Sequence, residues 1–248
     1  MSVPRTVASI EARMGSSRLP GKILMDVAGK PSLTRHVERL RLCRTVQDVV
    51  VATSVDPRDD AVETWGEAEG VKVFRGSEED VLGRVVEAHR MMGSELVVEV
   101  TGDSPLLDPQ VIDMGVETFL ANDCSVVSNT YRQTYPTGVD VQVFPFALLE
   151  EVSRTVADPA VREHVSLYFY EHPEMYRVIH LQAPDRWRAP HYRFCLDYPE
   201  DLAFVNAVYE RLLPAHGPGF GVEEVMALLK REPELLAINI DCRKKAVR

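Results

Sequence analysis

The sequence predicts an α/β protein: a doubly wound, mostly parallel sheet covered by helices, with an inserted antiparallel arm. Three observations predict it. Short continuous apolar runs alternate with helix-patterned segments through the first half of the chain, which is how strands buried on both faces read. The first run feeds a glycine-bearing basic loop, Ile10 to Leu24 (IEARMGSSRLPGKIL). A later run, LVVEV, leads directly into TGDSP, Thr101 to Pro105. Ligands of such sheets sit beyond the carboxyl ends of the strands, and both loops fall on that edge.

The elements follow in order. Val7 to Ile10 reads as a strand, and Leu33 to Cys43 has helical spacing. Val46 to Thr53 (VQDVVVAT) is rich in β-formers. Asp59 to Glu69 is helical and stopped by Gly70, and Val71 to Phe74 is a short strand. Ser77 is expected to cap a helix running to Met92, with Asp80 near the capping-box position and Gly93 as its stop. Leu96 to Val100 is a buried strand, and Pro109 to Leu120 a helix. After Cys124 to Ser128 the texture changes. Residues 131–188 carry many of the aromatics and prolines; Val139 to Phe144 alternates, and Tyr176 to Leu181 reads as a second strand. The chain returns to a strand near Arg193 to Leu196, a helix from Pro199 to Leu213 and a last helix from Val222 to Lys230. GPGFG, Gly217 to Gly221, follows a helix rather than a strand, so it reads as a connector and not a dinucleotide loop.

Composition narrows the function classes. The 248 residues are 45% hydrophobic, enough for a full core, and carry 28 cationic against 38 acidic side chains for a formal charge of −10. A net-negative chain is a poor general binder of nucleic acid or anionic membrane, so neither partner is expected. Cys43, Cys124, Cys195 and Cys242 form no C-x-x-C pair, which excludes a zinc ribbon and suits a reducing compartment. The polar opening residues carry no signal-peptide apolar region, and no apolar run approaches membrane-span length; a cytoplasmic protein is expected.

The first loop sets three cations, Arg13, Arg18 and Lys22, among Gly15, Ser16, Ser17, Pro20 and Gly21. Small residues let backbone N–H groups approach an anion while the cations neutralise it. It is not a P-loop: Gly15 and Gly21 are one residue too far apart, and Ile23 stands where the magnesium-binding hydroxyl belongs. In TGDSP, Asp103 at a strand's carboxyl end suits a magnesium ligand, since magnesium takes one or two carboxylates plus phosphates and water. An Asx-turn or helix cap is the competing reading for Asp103 and Asp108. A second carboxylate, Asp197, appears in RFCLDYPED before Pro199; Glu200 and Asp201 read as acids at a helix N-terminus.

These motifs resemble the cytidylyltransferases that activate sugar acids, such as the KDO and acylneuraminate enzymes, and most of all the branch of spore coat polysaccharide biosynthesis proteins. The resemblance runs over most of the chain and implies a nucleotide-diphospho-sugar transferase-like fold. It implies that Asp103 and Asp197 hold Mg2+, and that Arg13 and Lys22 grip the triphosphate. It places Ala12, Gly15, Ser16 and Arg18 in the nucleotide loop. It sets Thr53 in VATSVDPRDD beside the base, and Arg75 and Ser77 in FRGSEEDVLGR near base and ribose. YPTGVDVQVF and REHV match segments of that branch and, with Glu99 before TGDSP, imply acceptor contacts from Glu99, Tyr135, Asp140, Gln142, Arg162 and His164. The chain departs from the branch pattern at Glu11, at Glu99, where Arg is expected, and at Gln142, where Glu is expected.

The implied reaction is transfer of CMP from CTP to an acidic sugar or similar small acceptor, with release of pyrophosphate. The alternatives are a sugar-phosphate nucleotidyltransferase using another NTP, and a catalytically inactive nucleotide-binding interaction protein. The whole chain, 1–248, is read as one nucleotidyltransferase domain, with 131–188 as an acceptor-binding and homodimer-building arm.

Overall fold

Where apolar β-branched runs were expected to form strands, they do. The computed structural model describes residues 3–243; Met1 and Ser2, which open the polar N-terminal stretch, lie outside them. The chain runs β1 (Thr6–Glu11), a small antiparallel hairpin β2 (Asp26–Val27) and β3 (Lys30–Pro31), α1 (Ser32–Leu40), β4 (Asp48–Ser54), α2 (Asp60–Glu69), β5 (Lys72–Gly76), α3 (Val81–Met92), β6 (Leu96–Thr101) and α4 (Pro109–Ala121). It continues through β7 (Val126–Ser128), β8 (Gln142–Pro145), α5 (Phe146–Thr155), α6 (Pro159–Glu163), α7 (Leu167–Glu171), β9 (Val178–His180), α8 (Pro199–His216) and α9 (Val222–Arg231).

Seven strands form one sheet in the order β5-β4-β1-β6-β8-β7-β9. The β5, β4, β1 and β6 strands are parallel, whereas β8 is antiparallel to both β6 and β7. The chain winds outward from β1 to β5, then returns to place β6 on the other side of β1. That reversal opens a crevice beyond the carboxyl ends of β1 and β6. One apolar core, including Ile10, Leu33, Val98, Val111, Phe204 and Leu228, fills the sheet face toward α1, α4, α8 and α9. A second, including Val7, Val85, Val97, Phe144, Leu149 and Phe169, fills the face toward α3, α5 and α7. Each such side chain, fully buried, contributes roughly 1.5–3 kcal/mol by transfer.

Three local expectations change. Asp80, not Ser77, caps α3: its carboxylate accepts the Gly83 N–H at 2.8 Å, while the Ser77 hydroxyl accepts the Asp80 N–H. Arg193 to Leu196 is extended but makes only an isolated bridge to Thr137, because the neighbouring backbone bonds go to loops: Phe194 N–H to the Thr137 carbonyl and Leu196 N–H to the Asp103 carbonyl. Residues 131–188 contribute antiparallel β8, but also three short helices. Their second strand, β9, joins β7 in parallel, so β8 and β9 are separated by β7 and do not pair with each other.

Two glycines matter to the site. A Cβ at Gly102 would lie 2.5 Å from the Glu11 carbonyl oxygen, which accepts the Gly102 N–H at 2.8 Å. Gly138, at φ +94°, lies so close to the Phe194–Cys195 backbone that a Cβ would meet the Cys195 nitrogen at 2.8 Å. These contacts fix the TGDSP and YPTG segments against their neighbours. Gly102→Ala is therefore expected to lower stability by about 1–3 kcal/mol, the usual cost of overpacking. An unchanged urea midpoint would show that the loop yields freely.

Candidate active site

The crevice is built by three segments that the backbone stitches together. The first loop leaves β1 and returns on itself, with the Gly21 N–H donating to the Met14 carbonyl at 2.9 Å. Its far side is anchored by Asp59, whose carboxylate accepts the N–H of Met14 at 2.7 Å and the N–H and hydroxyl of Ser54. The TGDSP loop is held from below by His36. The Ser104 N–H donates to His36 Nε2 at 3.0 Å, and Nδ1 donates to the Ser32 carbonyl at 2.8 Å. Burial pushes this imidazole down to about 4, so it stays neutral in the tautomer those two bonds require. The Leu196 N–H, donating to the Asp103 carbonyl at 2.7 Å, joins the third segment to the second.

Lys22 stands where the three meet. Its ammonium donates to Asp197 Oδ1 at 2.7 Å and lies 3.6 Å from Asp103 Oδ2. Arg18 reaches Asp197 Oδ2 at 2.8 Å and Arg193 reaches the same oxygen at 3.0 Å. Burial alone would raise the Asp197 carboxyl, but Lys22, Arg18 and Arg193 outweigh it and hold it below the ordinary carboxylate range. Asp103 also accepts the Thr101 hydroxyl at 2.6 Å. Two carboxylates with a cation between them are a hard-oxygen pair of the kind magnesium takes together with phosphate and water. The residues present fit the ion: a positive charge already rests between Asp103 and Asp197, and neither carboxylate caps a helix. Asp108 does: it caps α4 through the Gln110 N–H and also accepts the Val222 N–H.

With these groups in place, comparison with known proteins is informative. Residues 7–232 match the family model described as cytidylyltransferase. The chain belongs to the cytidylyltransferase family. It is 36% identical over 230 residues to the spore coat polysaccharide biosynthesis protein SpsF of Bacillus subtilis, covering 91% of this chain and 94% of that one. It is 35% identical over 166 residues to the 3-deoxy-manno-octulosonate cytidylyltransferase of Geobacter sulfurreducens, covering 67% of this chain and 62% of that one. A solved cytidylyltransferase from Leptospira borgpetersenii superposes with a TM-score of 0.87 at 29% identity, covering 98% and 99% of the two chains. Being a cytidylyltransferase, the chain is an enzyme of the nucleotidyltransferase class.

In this cytidylyltransferase the remaining expected residues separate into groups. Ala12, Gly15, Ser16, Arg13 and Arg18 lie in the first loop with Lys22. A Cβ at Gly15 would meet the Arg58 guanidinium and the Glu78 carboxylate at 3.4 Å, and Arg13 pairs with Glu78 at 3.3 Å. Thr53 is fully buried near the end of β4, its hydroxyl without a partner among the described residues. The Arg75 guanidinium is engaged by Glu63, Asp60 and the Ser54 and Asp56 carbonyls, and the Ser77 hydroxyl by the Asp80 N–H. Arg162 ties α6 to the start of α3 by donating to Asp80 and the Ser153 carbonyl, and His164 closes α6. Tyr135 is a core side chain beside Trp187 and Met114, on the sheet face away from Glu99.

Glu99 and Gln142, two of the three departures from the branch pattern, are direct cross-strand neighbours in the β6–β8 register. The Gln142 carbonyl is surrounded by hydroxyls: Ser166 Oγ and Tyr170 OH at 2.5 Å and Thr130 Oγ1 at 3.2 Å. Its amide thus faces Glu99. Glu11 joins Glu99 on the same face. Burial raises the Glu11 carboxyl to about 7, and burial together with Glu11 raises the Glu99 carboxyl well above its ordinary range, so the two share a proton.

Sequence reasoning missed the group that fixes Asp197. Asp201, at N3 of α8, accepts two bonds from Arg193 Nε at 2.9 and 3.1 Å, and the N–H of Asp197 and Tyr198. Asn239 closes the network at 3.0 Å from Asp201 Oδ1. The signal was present in the Asp-Tyr-Pro-Glu-Asp spacing, but the partners Arg193 and Asn239 are not local to it.

Proposed function

We propose that this chain transfers CMP from CTP to a sugar acceptor in a magnesium-dependent reaction that releases pyrophosphate. The observation that carries the reading is the convergence of Lys22, Asp103 and Asp197 at the carboxyl end of the central strands, in a chain of this family. Activity toward a sugar acid in the Geobacter relative, by its name, supports a sugar as the acceptor class. No helix among the described residues is long and apolar enough to cross a membrane, which fits a reaction between two water-soluble molecules.

Asp103 and Asp197 would hold magnesium, which when bound screens the negative charge of the phosphates. The chain's own residues do the rest. Lys22 and Arg18 exchange Asp197 for the outer phosphates of the incoming triphosphate, and the small residues of the first loop let its N–H groups approach. The acceptor hydroxyl oxygen then bonds to the α-phosphorus as the bond to pyrophosphate breaks, and the hydroxyl proton passes to water. Lys22, Arg18 and Arg13 stabilise the charge that gathers on the leaving group. Arg193 and Asp201 keep Asp197 in place throughout.

Two outcomes test this. Among the four NTPs with magnesium, CTP should give the largest thermal stabilisation; equal shifts for all four would remove the cytidine assignment. Lys22→Ala should weaken CTP binding about tenfold or more while leaving CMP binding within about twofold, since the ammonium is assigned to the outer phosphates. A matching loss for CMP and CTP in calorimetry would give Lys22 another role.

A further inference from the structure

The β-sheet register lines up a polar stripe on one face of an otherwise apolar sheet. Ser9 pairs with Glu99, Glu11 with Thr101, Glu99 with Gln142, Gln142 with Ser128 and Ser128 with His180. The stripe begins beside the Asp103 loop and runs outward beneath α3 and α7. Glu99 is 4% exposed and Ser9 0% exposed. Neither Glu11 Oε1, Glu99 Oε2 nor the Ser9 hydroxyl meets a hydrogen-bonding partner among the described residues. A buried polar atom without a partner carries a desolvation cost, and here three such oxygens lie on adjacent strands.

We propose that Glu11, Glu99 and Ser9 form the acceptor-specificity element of the proposed transferase, and that they take a sugar carrying a protonated amine. This rests on the transferase reading for the site but not on the identity of the nucleotide. The charge of the stripe favours a cation. Glu11 and Glu99, with Asp140 close enough to act on Glu99, face one guanidinium, Arg84. Arg84 acts on Glu11 but spends its Nη1 on the Ser77 carbonyl at 2.7 Å, and its buried Nε meets no hydrogen-bonding partner among the described residues. An ammonium group has three donors, matching the three oxygens that lack a partner. A hydroxyl or carboxylate on the acceptor would supply one donor or none. The outer end of the stripe suits the same ligand. Tyr131 stacks on Tyr170 at 4.9 Å and on His180 at 5.9 Å, and Tyr131 is largely exposed. Aromatic faces there can carry an apolar sugar face and attract a nearby cation.

The test is calorimetric binding of hexoses bearing an amine at C2, C3, C4 or C6, each beside its hydroxyl parent and its N-acetyl form, with and without CTP. One amino form should bind about tenfold or more tighter than both counterparts. Glu99→Gln should remove that preference while leaving the parent hexose within about twofold. Ser9→Ala, a smaller change in the same contact, should reduce the preference partly and covers the case in which Glu99→Gln fails to fold. No preference for any amino form, or a preference intact in both variants, overturns the inference. Pyrophosphate release is read separately. Transfer without amine preference would overturn this inference and spare the transferase reading; amine-selective binding without transfer would do the reverse.

Discussion

Asp197→Asn is expected to lower turnover by about two orders of magnitude or more, close to 2.7 kcal/mol of barrier, while leaving the protein folded. The reason is the number of charges that depend on this carboxylate. Lys22, Arg18 and Arg193 all contact it, and an amide would remove the anion they share, leaving Lys22 to the longer pair with Asp103 and Arg193 to Asp201. The first loop would lose the position that readies it for a triphosphate, and the proposed magnesium pair would lose a ligand. Asp103→Asn separates these effects. Asp103 is more exposed and its ion pair to Lys22 is longer, at 3.6 Å, so the loop cations barely depend on it. Comparable losses in both variants point to shared metal binding. A large loss in Asp197→Asn alone points to organisation of the loop. Near-native rates in both at saturating magnesium would mean that neither carboxylate takes part.

Asp201→Ala is expected to be the most destabilising single substitution at the site, at about 3–5 kcal/mol. Asp201 is fully buried, and its removal leaves the buried Arg193 guanidinium with Asp197 in place of two carboxylates and its Nε without Asp201. It also frees the N–H groups of Asp197 and Tyr198 and the Asn239 amide. For a chain of this size such a loss corresponds to a fall in Tm on the order of 10 °C. The double variant Arg193→Met with Asp201→Leu should recover part of it, because a buried pair can often be replaced by packed apolar groups. A loss below about 1 kcal/mol in Asp201→Ala would show that water reaches Arg193.

What the sequence disclosed and what it withheld divide along a physical line. Strands β1, β4 and β6 were legible because parallel strands buried on both faces are unbroken apolar runs. The loops after β1 and β6 were legible because glycine, cations and Asp103 sit at their carboxyl ends. The short helices α5, α6 and α7 were hidden, since five- to ten-residue elements rich in aromatics and proline carry too little periodicity. Asp59, His36 and the Arg193–Asp201–Asn239 group were hidden because each acts on a residue far along the chain. The stripe from Ser9 to His180 is the clearest case. Its members come from five strands, and only the register of four adjacent pairings brings them onto one face. Glu99 and Gln142 each stood out as departures from the branch pattern, and the β6–β8 register makes them direct neighbours.

The central claim is that this chain moves a cytidylyl group onto a sugar by way of Lys22, Asp103 and Asp197. The most direct measurement is pyrophosphate release from each NTP across a panel of sugar acids and amino sugars, with the nucleotide-sugar product identified by mass spectrometry. Release is expected with CTP and at least one sugar, with a product heavier than that sugar by a CMP residue, and both signals should vanish on chelation of magnesium and in Asp103→Asn. Equal release with all four NTPs, or sugar-independent release unaffected by chelation and by Asp103→Asn, would contradict it.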